Sequence, residues 1–183
     1  MLWIEYLNAA TMIFPSYLLW NMETPNMCSY SVKMGSFIHM PASMMYHILC
    51  AHQVFKDPAE CIPRKLDQTF IHLGAIVYGF GTEYMPFIYA NIIWNEYCIY
   101  YIWSNQSISI RRRMHIYMSI LLFTSPVLWH GYVQRFLTIM GYMTVGSFLF
   151  VKNDWFYGYG HSLFHVCIGL SASHLYQYCI DRV

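Results

Sequence analysis

Charge is what this sequence has least of. Lysine and arginine together number 10 and aspartate and glutamate 9 among 183 residues, so 10% of the chain is charged; soluble domains carry about a quarter. With 57% hydrophobic and 19% aromatic residues, this composition implies lipid as the solvent for most of the surface. A basic leader is also missing: Glu5 stands among the first residues, so no cleaved signal peptide is expected. The six cysteines (Cys28, Cys50, Cys61, Cys98, Cys167 and Cys179) contain no CxxC pair and no zinc-ribbon spacing. They read as small apolar packing residues rather than as a disulfide framework. The net charge is +1 and no basic face is interleaved with aromatics, so nucleic acid is not an implied partner. No repeat, linker or low-complexity stretch divides the chain, which reads as a single domain over 1–183.

What is present is a succession of long apolar runs. A membrane helix needs ~20 mostly apolar residues, and runs of that kind lie near 2–20, 30–51, 67–82, 85–103, 114–131, 134–151 and 159–180. Between them stand turn and charge segments such as "NMETPN", "KDPAECIPRK" and "SNQSISIRRR". The runs lack two-residue alternation, which excludes a strand barrel. The expected fold is all-α, a polytopic membrane protein built as a seven-transmembrane helix bundle. Lys56, Arg64, Lys65, Arg111, Arg112, Arg113 and Lys152 fall in loops on one side. That bias places the N-terminus in the cytoplasm.

Within these runs the ionisable residues are not scattered. Ser43 and His47 lie one helical turn apart near the end of the second run, and Asp67 opens the third. His161 and His165, at i and i+4, share a face at the start of the seventh. Alternating helices bring all five to one end of the bundle. Three neutral imidazoles suit a catalytic zinc, which keeps a fourth position for water. Asp67 and Ser43 then serve as candidate catalytic groups, the first orienting a histidine or accepting a proton, the second hydrogen-bonding either partner. The plainer alternative is that these are buried histidines bonded to hydroxyls or carbonyls. His39, His52, His72, His115, His130 and His174 do not join the convergence and read as polar groups inside or at the edge of the bundle. Glu96, with Asn91 and Asn95, falls inside the fourth run, either facing the interior or marking a misplaced boundary.

At these residues the chain resembles the hemolysin III / PAQR (progestin and adiponectin receptor) family. "EYLNAAT" is similar to its E-x-x-N-x-x-T opening, carried by Glu5, Asn8 and Thr11; "SMMYH" to its Ser-x-x-x-His element; "KLDQTFIHLGA" to its aspartate segment; and "GHSLFHVCIGLSASH" to its His-x-x-x-His element. "LFVKNDW" and "FTSP" resemble the monocyte-to-macrophage differentiation factor type within it. Met12 stands where the family opening continues with histidine, and His174 lies one residue nearer His165 than its counterpart. The resemblance implies a seven-helix membrane bundle with Zn2+ held by His47, His161 and His165.

Two functions follow from that resemblance. One is a zinc-dependent hydrolase of a lipid amide, with a ceramide-like membrane lipid as substrate. The other is a non-enzymatic membrane receptor or scaffold with a structural metal, coupled to a cytosolic signalling protein. Either is expected in an endomembrane (Golgi or lysosome) or the plasma membrane. A channel fits less well, because the polar residues gather at one end.

Overall fold

Helices form where the apolar runs predict them. The computed structural model describes residues 2–58, 61–104 and 110–182; residues 1, 59–60, 105–109 and 183 lie outside the described residues. The elements are α1 (Leu2–Thr11), α2 (Ile13–Trp20), α3 (Met27–Ala51), α4 (Ile62–Phe80), α5 (Met85–Ser104), α6 (Ile110–Trp129), α7 (Val133–Val151) and α8 (Gly160–Asp181). A 3-10 turn at Asn153–Phe156 precedes α8. Only Met12 separates α1 from α2, and its backbone stays in the right-handed helical region, so the two make one segment and the described residues form seven α-helical segments. No strand occurs among the described residues.

The membrane expectation fails on composition. Among the described residues no helix is long and apolar enough to cross a membrane. This overturns the reading as an integral, multi-pass protein with a cytoplasmic N-terminus in an endomembrane or the plasma membrane. Length is not the obstacle: α3 to α8 run from 19 to 25 residues. Polar groups dilute them. Arg64, Lys65, Asp67 and Gln68 stand in the first two turns of α4, and α6 opens on three arginines. Tyrosine and tryptophan, counted above with the apolar residues, carry a polar tip as well as an apolar body.

Small residues set the helix spacing where it is closest. Gly35 on α3 faces Gly74 on α4; a Cβ on either would lie 3.0–3.1 Å from the carbonyl oxygen of the other. The α3 start is fixed by Asn26, whose side chain accepts from the Ser29 amide at 2.8 Å while Ser29 Oγ meets the Asn26 amide, a reciprocal capping box. Beside it lies a correction to the cysteine reading. Cys28 at the start of α3 and Cys179 near the end of α8 form a disulfide, and Asn26 Nδ2 donates to the Cys179 carbonyl. Sequence spacing could not reveal a pair 151 residues apart. Leu19, Val32, Val127, Ile139 and Leu175 pack around this end of the bundle as its apolar core.

The unexplained set in α5 is resolved by two faces of one helix. Asn91 and Asn95 are buried and Glu96 is exposed. Asn91 Nδ2 donates to the Ala75 carbonyl, Asn95 Nδ2 donates to Asn91, and His72 Nδ1 donates to Asn95 Oδ1 at 2.7 Å. This network staples α4 to α5, and burial pushes the His72 imidazole down to about 4.

Candidate metal centre

The three histidines singled out in the sequence meet in space. His47 comes from the last turns of α3, and His161 and His165 from the first turns of α8. One nitrogen from each ring can be chosen so that all three lie within 4.8 Å of one another. Ring centroids are 4.7 Å apart for His47 and His161, 4.8 Å for His161 and His165, and 5.9 Å for His47 and His165. His47 and His165 are buried, and His161 is half-buried.

The start of α8 is fixed before His161 is reached. Asn153 Oδ1 accepts from the His161 amide at 3.0 Å. Gly160 lets α8 approach the end of α7, since a Cβ there would lie 2.2 Å from the Leu149 carbonyl oxygen. The "LFVKNDW" segment thus positions a candidate ligand.

Orientation of the imidazoles comes from α1. The Nδ1 of His47 donates to Glu5 Oε2 at 2.7 Å, and this hydrogen bond holds the Glu5 carboxyl below its ordinary range. His47 Nε2 is then left buried without a hydrogen-bond partner. Thr11 Oγ1 donates to the carbonyls of Leu7 and Asn8 and accepts from His165 Nδ1 at 3.0 Å. That tautomer leaves His165 Nε2 as an acceptor. Asn8 completes the helix face by accepting from Ser162 Oγ at 2.7 Å. Burial first, and neighbouring imidazoles second, push His165 down to about 3 and hold His161 well below the usual histidine range. His161 and His165 are therefore neutral at ordinary pH, the state in which imidazole binds metal.

The donor set fits zinc in type, number and orientation: three imidazoles, one orphaned buried nitrogen, and a carboxylate behind one ring. Three nitrogens around one tetrahedral ion stand roughly 3–4 Å apart; the three nitrogens here lie within 4.8 Å of one another.

Asp67 and Ser43 are placed differently from each other. Ser43 is buried on α3 one turn before His47 and lines the cavity beside the cluster. Asp67 lines the same cavity, but its carboxylate is engaged elsewhere: it accepts from His39 Nε2 at 3.0 Å and from Arg64 at 2.9 Å. Burial opposes its ionisation, yet the His39 hydrogen bond and the Arg64 charge outweigh it and hold the carboxyl well below the usual range. Orientation of the cluster, expected of Asp67, falls to Glu5 and Thr11. Sequence reasoning assigned these two no role, although Glu5, Asn8 and Thr11 recur at three-residue spacing on one helix face, a signal that could have found them. His39, set aside in the sequence, is the aspartate's partner.

The fold and cluster define an all-helical protein with a three-histidine candidate metal centre. The chain matches no protein-family model, no curated protein and no solved structure.

Proposed function

We propose that His47, His161 and His165 hold zinc and that the chain is a zinc-dependent hydrolase of a ceramide-like lipid amide, of the hemolysin III/PAQR type. The observation that carries this reading is the orphaned, buried Nε2 of His47, aligned by Glu5 and facing two further imidazoles. Zinc bound there supplies a polarised carbonyl and a water of lowered pKa. The residues around it supply the rest. Glu5 and Thr11 fix the ring tautomers. Ser43 offers a hydroxyl one turn from His47. Asp67 and its partner His39 face the same cavity and accept the proton, which must leave as the amide is attacked. The apolar side of that cavity takes the acyl chain.

A second reading is favoured by one observation: Asp67 is tied to Arg64 and His39 and held ionised, which makes it a weak base. The metal is then structural, in a non-enzymatic receptor or scaffold. Metal analysis beside a His161→Ala/His165→Ala variant, with an N-acyl sphingoid hydrolysis assay on both, separates these. Stoichiometric zinc with metal-dependent hydrolysis supports the first reading, and zinc without hydrolysis supports the second. Absence of bound metal in the unmodified chain sinks both.

A further inference from the structure

The cavity beside the histidines encloses about 590 Å³, within the ~300–1,000 Å³ range of small-ligand sites. Helices α3, α4, α6 and α8 supply most of its wall, each through one stripe at helical spacing. On α3 the stripe runs from Ser43 through His39 to Ser36, and on α8 from His165 through Ile168 to Leu175. Polar side chains gather at the histidine end. Beyond His39 on α3 and Ile71 on α4 the wall is largely apolar, so the far part suits hydrocarbon.

The four stripes end together. Gly35 on α3, Tyr78 on α4, Phe123 on α6 and Leu175 on α8 are the last lining residues of those helices toward the disulfide. The Tyr78 ring forms the floor among them. It stacks on Phe123, with centroids 5.0 Å apart and planes 28° from parallel, and its hydroxyl meets Ser36 Oγ at 2.6 Å. Gly35 makes room for the ring, since a Cβ there would lie 3.0 Å from Tyr78 Cδ1. Behind the floor, Tyr78 and Phe123 pack against the apolar core. A ring held by a stack, a hydrogen bond and a packed core does not swing aside cheaply.

The helices also fix how far the floor lies from the histidines. Ser36 stands eleven residues from His47 on α3, and Tyr78 eleven residues from Asp67 on α4. Either path is ~16 Å of helix. Carbon–carbon bonds of ~1.5 Å laid in zigzag advance roughly 1.3 Å per carbon, so the space holds about 12 carbons in extended form.

We propose that Tyr78 sets chain length: the cavity admits one unbranched acyl chain of about 12 carbons and disfavours chains of about 16 or more. This deepens the acyl-chain assignment made above and rests on it, but needs neither zinc nor hydrolysis.

Equilibrium dialysis of radiolabelled N-octanoyl-, N-dodecanoyl- and N-hexadecanoyl-ethanolamine against the purified full chain, with chelator present, reads chain length without turnover. The dodecanoyl amide binds about 100-fold more tightly than the octanoyl amide, since each buried methylene adds roughly three- to fourfold. The hexadecanoyl amide binds ~10-fold or more weakly than the dodecanoyl amide, because its end meets a packed ring. Tyr78→Ala removes that penalty, and His161→Ala/His165→Ala keeps it. Tyr78→Leu, which leaves an apolar side chain on the core, reduces the penalty and decides the matter if Tyr78→Ala fails to fold. Equal binding of the two longer amides by the unmodified chain, or an undiminished penalty in a folded Tyr78 variant, would overturn the proposal. Failure of all three amides to bind would overturn it together with the acyl-chain assignment. The stated length preference in a chain that binds zinc without hydrolysis supports the proposal and removes only the hydrolase reading.

Discussion

Glu5 on α1 and His47 on α3 meet at 2.7 Å across two helices, and this contact decides which imidazole nitrogen faces the other two histidines. The carboxylate accepts the hydrogen bond from Nδ1–H, and Nε2 is left with its lone pair free. Replacing the carboxylate therefore acts on the metal without touching a ligand. Glu5→Gln, which can turn its amide donor toward Nδ1, is expected to lower zinc affinity about 10–100-fold, and Thr11→Val to act in the same direction through His165. Competition against a chromophoric chelator measures both; unchanged affinity in Glu5→Gln means that Glu5 does not set the tautomer.

Metal occupancy is also expected to appear as stability. A ligand bound only by the folded chain adds ~2.7 kcal/mol at one hundred times its dissociation constant. Thermal unfolding followed by circular dichroism should shift upward with zinc and return with chelator. In His165→Ala the two curves should superimpose.

His72 gives a pH dependence separate from the cluster. Its ordinary pKa of 6.5 is pushed down to about 4 in the folded chain by burial, partly opposed by the Asn95 hydrogen bond. The unfolded chain then binds the extra proton first, so stability is complete above pH ~6.5 and falls as pH drops toward 4. The full loss from this one residue is roughly 3 kcal/mol. Denaturant titrations at several pH values measure it, and His72→Gln, which keeps a donor for Asn95, should flatten the slope in that window. An equally steep slope in the variant assigns the effect to another group.

Gly160 tests how the first ligand of α8 is positioned. A methyl group there meets backbone on two sides, the Leu149 oxygen at 2.2 Å and the Asn153 Cα at 3.0 Å. Gly160→Ala is expected to cost ~1–3 kcal/mol and to weaken zinc binding, because His161 follows directly. Gly141→Ala, with nothing near its would-be Cβ, is the control, read by chemical denaturation and chelator competition.

The disulfide predicts a redox effect. Reduction, or Cys28→Ser with Cys179→Ser, removes a cross-link spanning 151 residues and should cost ~2–5 kcal/mol. Urea midpoints with and without reductant report it, and the double variant should lose all sensitivity to reductant.

Periodicity and apolar runs made the seven segments legible, because each segment contains enough apolar side chain to show where it begins and ends. Their membrane reading failed because a run rich in tyrosine, tryptophan, serine and histidine reads as apolar by eye without being apolar enough by transfer energy. The histidine triple was legible from i, i+4 spacing plus alternation of helices. Its orienting partners were not: Glu5 and Thr11 reach across from a helix whose packing against α3 and α8 no local pattern encodes. Asp67 was placed at the correct end, but its partner depended on which of two histidines eight residues apart on α3 faced it. Cys28 and Cys179 are joined by tertiary proximity alone.

That cross-link also changes what kind of object the chain is. Residues 28–179 become a closed covalent ring, and α1 and α2 become a tail attached at one point. All three histidines belong to the ring, while Glu5 and Thr11 belong to the tail. A single cut within the ring leaves its pieces joined, whereas undocking the tail breaks no covalent bond and frees two imidazoles to rotate. Covalent closure of the bundle and orientation of the site thus rest on different parts of the chain.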